Sequence, residues 1–98
     1  MTYTTHEKRW RAAVLRIECC VRCGRYGTEW AHRNEGKGMG LKVAPHLTAA
    51  LCRTCHEEID NGRTMTRDER RRAMNDAIVE TYNQLVVLGF VGLTGRAA

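Results

Sequence analysis

Large apolar side chains are scarce in this chain. It has one phenylalanine, two tryptophans and three tyrosines in 98 residues. A single domain over 1–98 is therefore expected, with only a modest core. No long hydrophobic run is present either. The longest, Leu85 to Leu93, is far short of the about 20 residues a membrane-spanning helix needs, so no membrane partner is expected. The early residues Glu7, Lys8 and Arg9 are polar and unlike a secretory leader. Lysine is rare: three of the 16 cations are Lys8, Lys37 and Lys42, and the other 13 are arginine. Five cysteines are an odd number, which argues against a fully paired disulfide framework.

The cysteines carry the strongest pattern. Cys20-Val-Arg-Cys23 and Cys52-Arg-Thr-Cys55 are two Cys-x-x-Cys pairs, and at a separation of about 30 residues such pairs can place four thiolates on one tetrahedral zinc. In the reducing cytoplasm expected here, paired cysteines read as metal ligands. Gly24 follows the first pair and allows the left-handed residue of a zinc knuckle. Cys19 can replace Cys20, but the spacing followed by glycine favours Cys20. Cys19 is then a spare thiol, packed as a small hydrophobe. With so little core, zinc-binding free energy becomes folding free energy.

The formal charge is +5. Guanidinium forks match phosphate geometry, so the arginine excess fits a polyanionic partner, nucleic acid first, or a plain basic surface. Residues 5–18 are predicted as a helix capped by Thr5, with Trp10, Val14 and Ile17 on one face. Residues 26–33 read as a strand with Trp30 and His32 on one side. The glycine-rich stretch 35–42 lacks the Walker spacing and is either a basic loop along a nucleic-acid backbone or a long turn. Cys52 to Asn61 should be helical, stopped by Asn61-Gly62. His56 and Asp60 share a face of that helix. Thr66-Arg-Asp-Glu69 is a capping box opening a last helix toward Gly89, with apolar positions Ala73, Ala77, Ile78, Tyr82, Leu85 and Leu88. Arg67, Arg70, Arg71 and Arg72 crowd its start. Cations there oppose the helix dipole, so they serve a phosphate or form a solvated face.

The order of helix, knuckle, strand with histidine, loop, and knuckle on a helix with histidine resembles the HNH or ββα-metal nucleases, in particular their four-cysteine branch. Ala31-His32-Arg33, Gly36-x-Gly38-x-Gly40-x-Lys42, Pro45 and Leu51-Cys52-x-x-Cys55-His56-x-Glu58-x-Asp60 look like the YbcO-type small nucleases of phages and prophages. The resemblance covers residues 16 to 90, and 31–62 is its specific part. It implies a small zinc-stabilised α+β domain of treble-clef or ββα-metal type, with an N-terminal helix and a C-terminal packing helix. It also implies a metal-dependent DNA endonuclease acting in the cytoplasm of a bacterial host.

On that reading Cys20, Cys23, Cys52 and Cys55 hold a structural zinc. His32 stands where the family's general base would be, able to take a proton from water near neutral pH. His56 and Asp60 offer a nitrogen and a carboxylate to a catalytic Mg²⁺, Mn²⁺ or second Zn²⁺, and His56 counts among the catalytic histidines. His46 is the third polar residue of the site, in place of the family's middle asparagine, with Asn34 as the other candidate. Arg33, Lys37, Lys42 and Arg53 are placed to reach phosphates. Ala31 occupies the position where many HNH proteins have an aspartate ligand. That departure keeps a second expectation open: a zinc-stabilised nucleic-acid-binding accessory protein that does not cut. The stretch from Leu85 can serve either the core or a homodimer.

Overall fold

The computed structural model describes residues 4–33 and 44–93. These form α1 (Thr5–Val14), β1 (Glu29–His32), β2 (Thr48–Leu51), α2 (Arg53–Asn61) and α3 (Arg67–Val87). Three helices and one two-stranded antiparallel sheet make the expected α+β class. Asn34 and the glycine-rich loop with Lys37 and Lys42 lie outside the described residues. Among the described residues no helix is long and apolar enough to cross a membrane.

Helix α1 starts one residue earlier than its predicted cap. Thr4, not Thr5, is the N-cap: its hydroxyl accepts from the Glu7 amide at 3.1 Å, and the Glu7 carboxylate accepts from the Thr4 amide at 2.9 Å. The helix ends at Val14 rather than running to residue 18. Ile17 is nonetheless buried, as is Val14, because the chain continues in tight turns (Ile17 N–H to Val14 C=O, 3.0 Å). The predicted apolar stripe thus survives the loss of the last helical turn.

Strand β1 is shorter than predicted. Residues 27 and 28 bond backward instead of across a ladder: the Gly27 amide to Glu18 C=O at 2.8 Å and the Thr28 hydroxyl to Ile17 C=O at 2.7 Å. The sheet register pairs Glu29 with Leu51, Trp30 with Ala50, Ala31 with Ala49 and His32 with Thr48. Period two then divides the hairpin into two faces. Ala31, Ala49 and Leu51 join Cys20, Cys52, Cys55, Ile59, Met74 and Ala77 in one core cluster. On the other face Ala50 joins Val14, Ile17 and Leu85, with Trp10 and Trp30 packed against them.

Helix α3 runs along β2 and serves both faces. Its capping box is present as predicted, with Thr66 and Glu69 bonding each other's amides. Its buried positions are Met74, Ala77, Thr81 and Leu85. Tyr82 and Leu88, predicted to face the core, are 53% exposed. Thr81 lies inside because its hydroxyl donates to Ala77 C=O at 2.7 Å and accepts from the Ala50 amide at 3.1 Å. The Ala50 carbonyl is satisfied in turn by the Val21 amide at 3.1 Å. The outer edge of β2 is therefore closed by a helix hydroxyl and by the knuckle. Thr81→Val is expected to leave the buried Ala50 amide without an acceptor and to cost about 1–3 kcal/mol in chemical denaturation. Of the stretch from Leu85 onward, Leu85 is fully buried and belongs to the core, while Val86, Val87, Leu88, Phe90 and Leu93 are exposed.

Helix α2 stops at Gly62 for a different reason from the one predicted. Gly62 has φ −63°, which any residue can adopt. A side chain is excluded by space, because a Cβ there would lie 2.1 Å from the Glu58 carbonyl oxygen. Gly62→Ala should therefore destabilise the fold by about 1–3 kcal/mol, the usual cost of forcing atoms into filled space. A Gly62→Ala protein melting with the wild type would show that the turn relaxes freely.

Candidate metal centre and functional site

The two cysteine pairs come together at the open end of the hairpin, one before β1 and one after β2. Cys20 and Cys23 flank the turn before β1. In that turn the Gly24 amide bonds Cys20 C=O at 2.8 Å and Gly24 takes φ +81°, the left-handed conformation predicted for it. Cys52 is the N-cap of α2 and its sulfur accepts from the Cys55 amide at 3.4 Å. The four sulfurs lie within 4.8 Å of one another, with Cys23 and Cys52 at 3.6 Å. Zinc–sulfur bonds of about 2.3 Å give a tetrahedral edge of about 3.8 Å. The cluster can therefore bind a metal such as zinc. Among the described residues it is the one group of three or more Cys, His, Asp or Glu so placed.

Electrostatics favour a cation there. Burial works against a charge on Cys20, yet amide donors from Cys52, Cys23 and Arg22 hold its pKa down to about 6 from 9.0. Cys55 is pushed up to about 12, first by burial and then by hydrogen bonds to neighbouring sulfurs that favour the thiol, with Arg22 opposing. One thiolate is easily accommodated and further ones are not, unless a dication neutralises them. Cys19 is not packed as a small hydrophobe. It is exposed, and its backbone forms an isolated bridge with Tyr26.

A second constellation sits on the same side of the hairpin. His56 is one turn into α2, with Asp60 one turn further on. The His56 Nε2 lies 3.1 Å from Asp60 Oδ2, and its Nδ1 lies 2.8 Å from Glu29 Oε1. The ring is thus held between two carboxylates. Glu29 was not among the predicted site residues, although it lies at period two from Ala31 on the strand face turned to α2. His56 holds the Glu29 carboxyl below its usual value, burial opposes this, and Arg53 adds to the lowering. Arg53, expected at a phosphate, is engaged by Glu57 at 2.9 Å and Glu29 at 3.3 Å.

No protein-family model, curated protein or solved structure matches the chain.

The other predicted site residues lie elsewhere. His32 alternates with Glu29 and Ala31, so it shares the opposite sheet face with Trp30, whose ring centroid is 4.3 Å away. His46 precedes β2 and meets α1: its Nε2 is 2.6 Å from His6 Nε2, and its ring stands edge-on to Trp10 at 4.6 Å. His6, which had no expected role, is thus its direct partner. The structure brings His56 and Asp60 together and adds Glu29. It sets His32 against Trp30, and His46 against His6 and Trp10. Arg33 does reach the α2 side, where it lines a cavity of about 190 Å³ with Ile59, Asp60, Arg67, Arg70, Arg71 and Met74.

Proposed function

We propose that the protein is a metal-dependent endonuclease of HNH type, built as a zinc-stabilised treble clef. The observation that carries this reading is the Glu29–His56–Asp60 chain beside an arginine-lined cavity. Metal-ligating histidines usually donate their second ring N–H to a carboxylate, which fixes the other nitrogen toward the metal. Glu29 is placed to do this for His56. The 3.1 Å between His56 Nε2 and Asp60 Oδ2 fits the edge of an octahedral ion with bonds of about 2.1 Å, which is about 3.0 Å. A divalent ion held by these two groups would supply charge stabilisation for a phosphodiester under attack. The four-cysteine cluster fits a closed, structural zinc.

A second reading is a nucleic-acid-binding accessory protein without catalysis. It is favoured by His32, whose ring lies against Trp30 on the face away from His56. A plasmid-nicking assay on zinc-loaded protein, with Mg²⁺, Mn²⁺ or no added ion, separates the two. Divalent-dependent cutting supports the nuclease. A DNA gel shift without cutting under any of these ions supports the accessory protein. A His32→Ala arm locates the base: lost cutting in a folded variant places it on the Trp30 face, and retained cutting leaves the water to the Glu29–His56–Asp60 side.

A further inference from the structure

The cavity between the end of β1, the C-terminal end of α2 and the start of α3 has a charge pattern that the fold does not require. Four guanidiniums, from Arg33, Arg67, Arg70 and Arg71, line about 190 Å³ together with a single carboxylate, Asp60. Three of them come from the first turns of α3 (Arg67–Val87), where the helix dipole already places positive potential. Like charges converging there repel one another. Arg33 donates to Asn75 Oδ1 at 3.4 Å, Arg70 donates to Asp60 C=O at 2.9 Å, and Arg71 is also engaged within the protein. The Nε atoms of Arg33 and Arg70 are shut off from solvent and have no hydrogen-bond partner among the described residues. The side walls, Ile59 and Met74, are apolar and strengthen electrostatic interactions inside.

We infer that this cavity is a phosphate-binding site, in which a single phosphoryl group accepts hydrogen bonds from the converging arginines. Planar guanidiniums with several donors each suit the tetrahedral oxygens of phosphate. Asp60 links the site to its neighbour, since the same side chain faces His56. A phosphate held here lies beside the proposed divalent-ion site without occupying it. The source of the phosphoryl group, an internal diester or the end of a strand, rests on the nucleic-acid reading above. The anion site itself does not.

Thermal unfolding of the full zinc-loaded chain tests the site, with inorganic phosphate compared with chloride at equal ionic strength. Saturating phosphate is expected to raise Tm by about 5–10 °C, and an Arg67→Gln/Arg71→Gln double variant should lose that rise. The double variant leaves the Arg33 and Arg70 bonds to Asn75 and Asp60 in place but removes the interaction of Arg71, so its phosphate shift is read against its own Tm in chloride. An Arg11→Gln control on α1 should keep the rise. No phosphate-specific shift in the wild type, or the same shift in the double variant, would overturn the site. A second arm compares 5′-phosphorylated and 5′-hydroxyl single strands of one sequence. Tighter binding of the phosphorylated strand, by tenfold or more and only with the arginines present, assigns a strand end. Equal binding of both strands, weakened equally in the double variant, assigns an internal phosphate. Strand binding that the double variant leaves unchanged overturns the cavity's role while sparing the nucleic-acid reading. A phosphate shift without any strand binding does the reverse.

Discussion

Stripping zinc with a strong chelator is expected to abolish the cooperative thermal transition of this protein. Four of the buried or turn-forming positions that join the knuckle to α2 are the cysteines themselves, and Cys20, Cys52 and Cys55 are counted in the main core cluster. Structural zinc sites contribute about 10–16 kcal/mol of apparent binding free energy near neutral pH. A domain of this size has a total stability of about 5–15 kcal/mol. Without the metal, the buried thiols lose the dication that neutralises them together, and the hairpin is no longer tied to α2 at its cysteine end. Cys52→Ser should behave like the chelated protein, because it removes one thiolate and the sulfur that caps α2 through the Cys55 amide. Cys19→Ser should melt with the wild type, since Cys19 is exposed and outside the four-sulfur group. Circular dichroism melts, beside a chromophoric titration of released zinc, check all three. The expected stoichiometry is one zinc per chain. A chelated protein that still melts cooperatively within a few degrees of the holo form would remove zinc from the folding argument.

Local chemistry was legible in the sequence wherever a short pattern decides the structure. The Cys-x-x-Cys pairs, Gly24 and the Thr66/Glu69 capping box each act within a few residues, and each is found where the pattern puts it. Element ends were less legible because they depend on what the chain meets. Residues 27 and 28 leave the predicted strand to bond Glu18 and Ile17, partners nine and eleven residues away. Thr81 displaced Tyr82 from the buried stripe because the Ala50 amide on β2 needed an acceptor. Helical periodicity contains no such information. Glu29 was missed for a related reason. Its carboxylate has no motif around it, and its role comes only from the register that sets β1 against α2. His32 and His56 share a pattern in sequence, yet strand alternation turns His32 toward Trp30 while Glu29 and Ala31 face the helix.

His56→Ala is expected to remove divalent-dependent cutting, lowering the nicking rate by about 10²–10⁴-fold, the scale of several kcal/mol of transition-state stabilisation. It takes away the nitrogen that faces Asp60 and leaves Glu29 and Asp60 without the ring between them. Folding should survive, because His56 is only partly buried and lies outside the core clusters. Glu29→Gln is the sharper test. It keeps the size of the side chain and a carbonyl oxygen for His56 Nδ1, but removes the carboxylate charge that makes the ring a better ligand. Loss of such an outer partner typically weakens metal affinity by about 10–100-fold. Cutting by Glu29→Gln should therefore need correspondingly more Mg²⁺ or Mn²⁺ and recover when the ion is raised. His56→Ala should not recover. A merely structural Glu29 predicts a different pattern, lower stability with an unchanged metal titration. If both variants cut like the wild type, the ion is held elsewhere, and the Glu29–His56–Asp60 chain only fastens α2 to the hairpin.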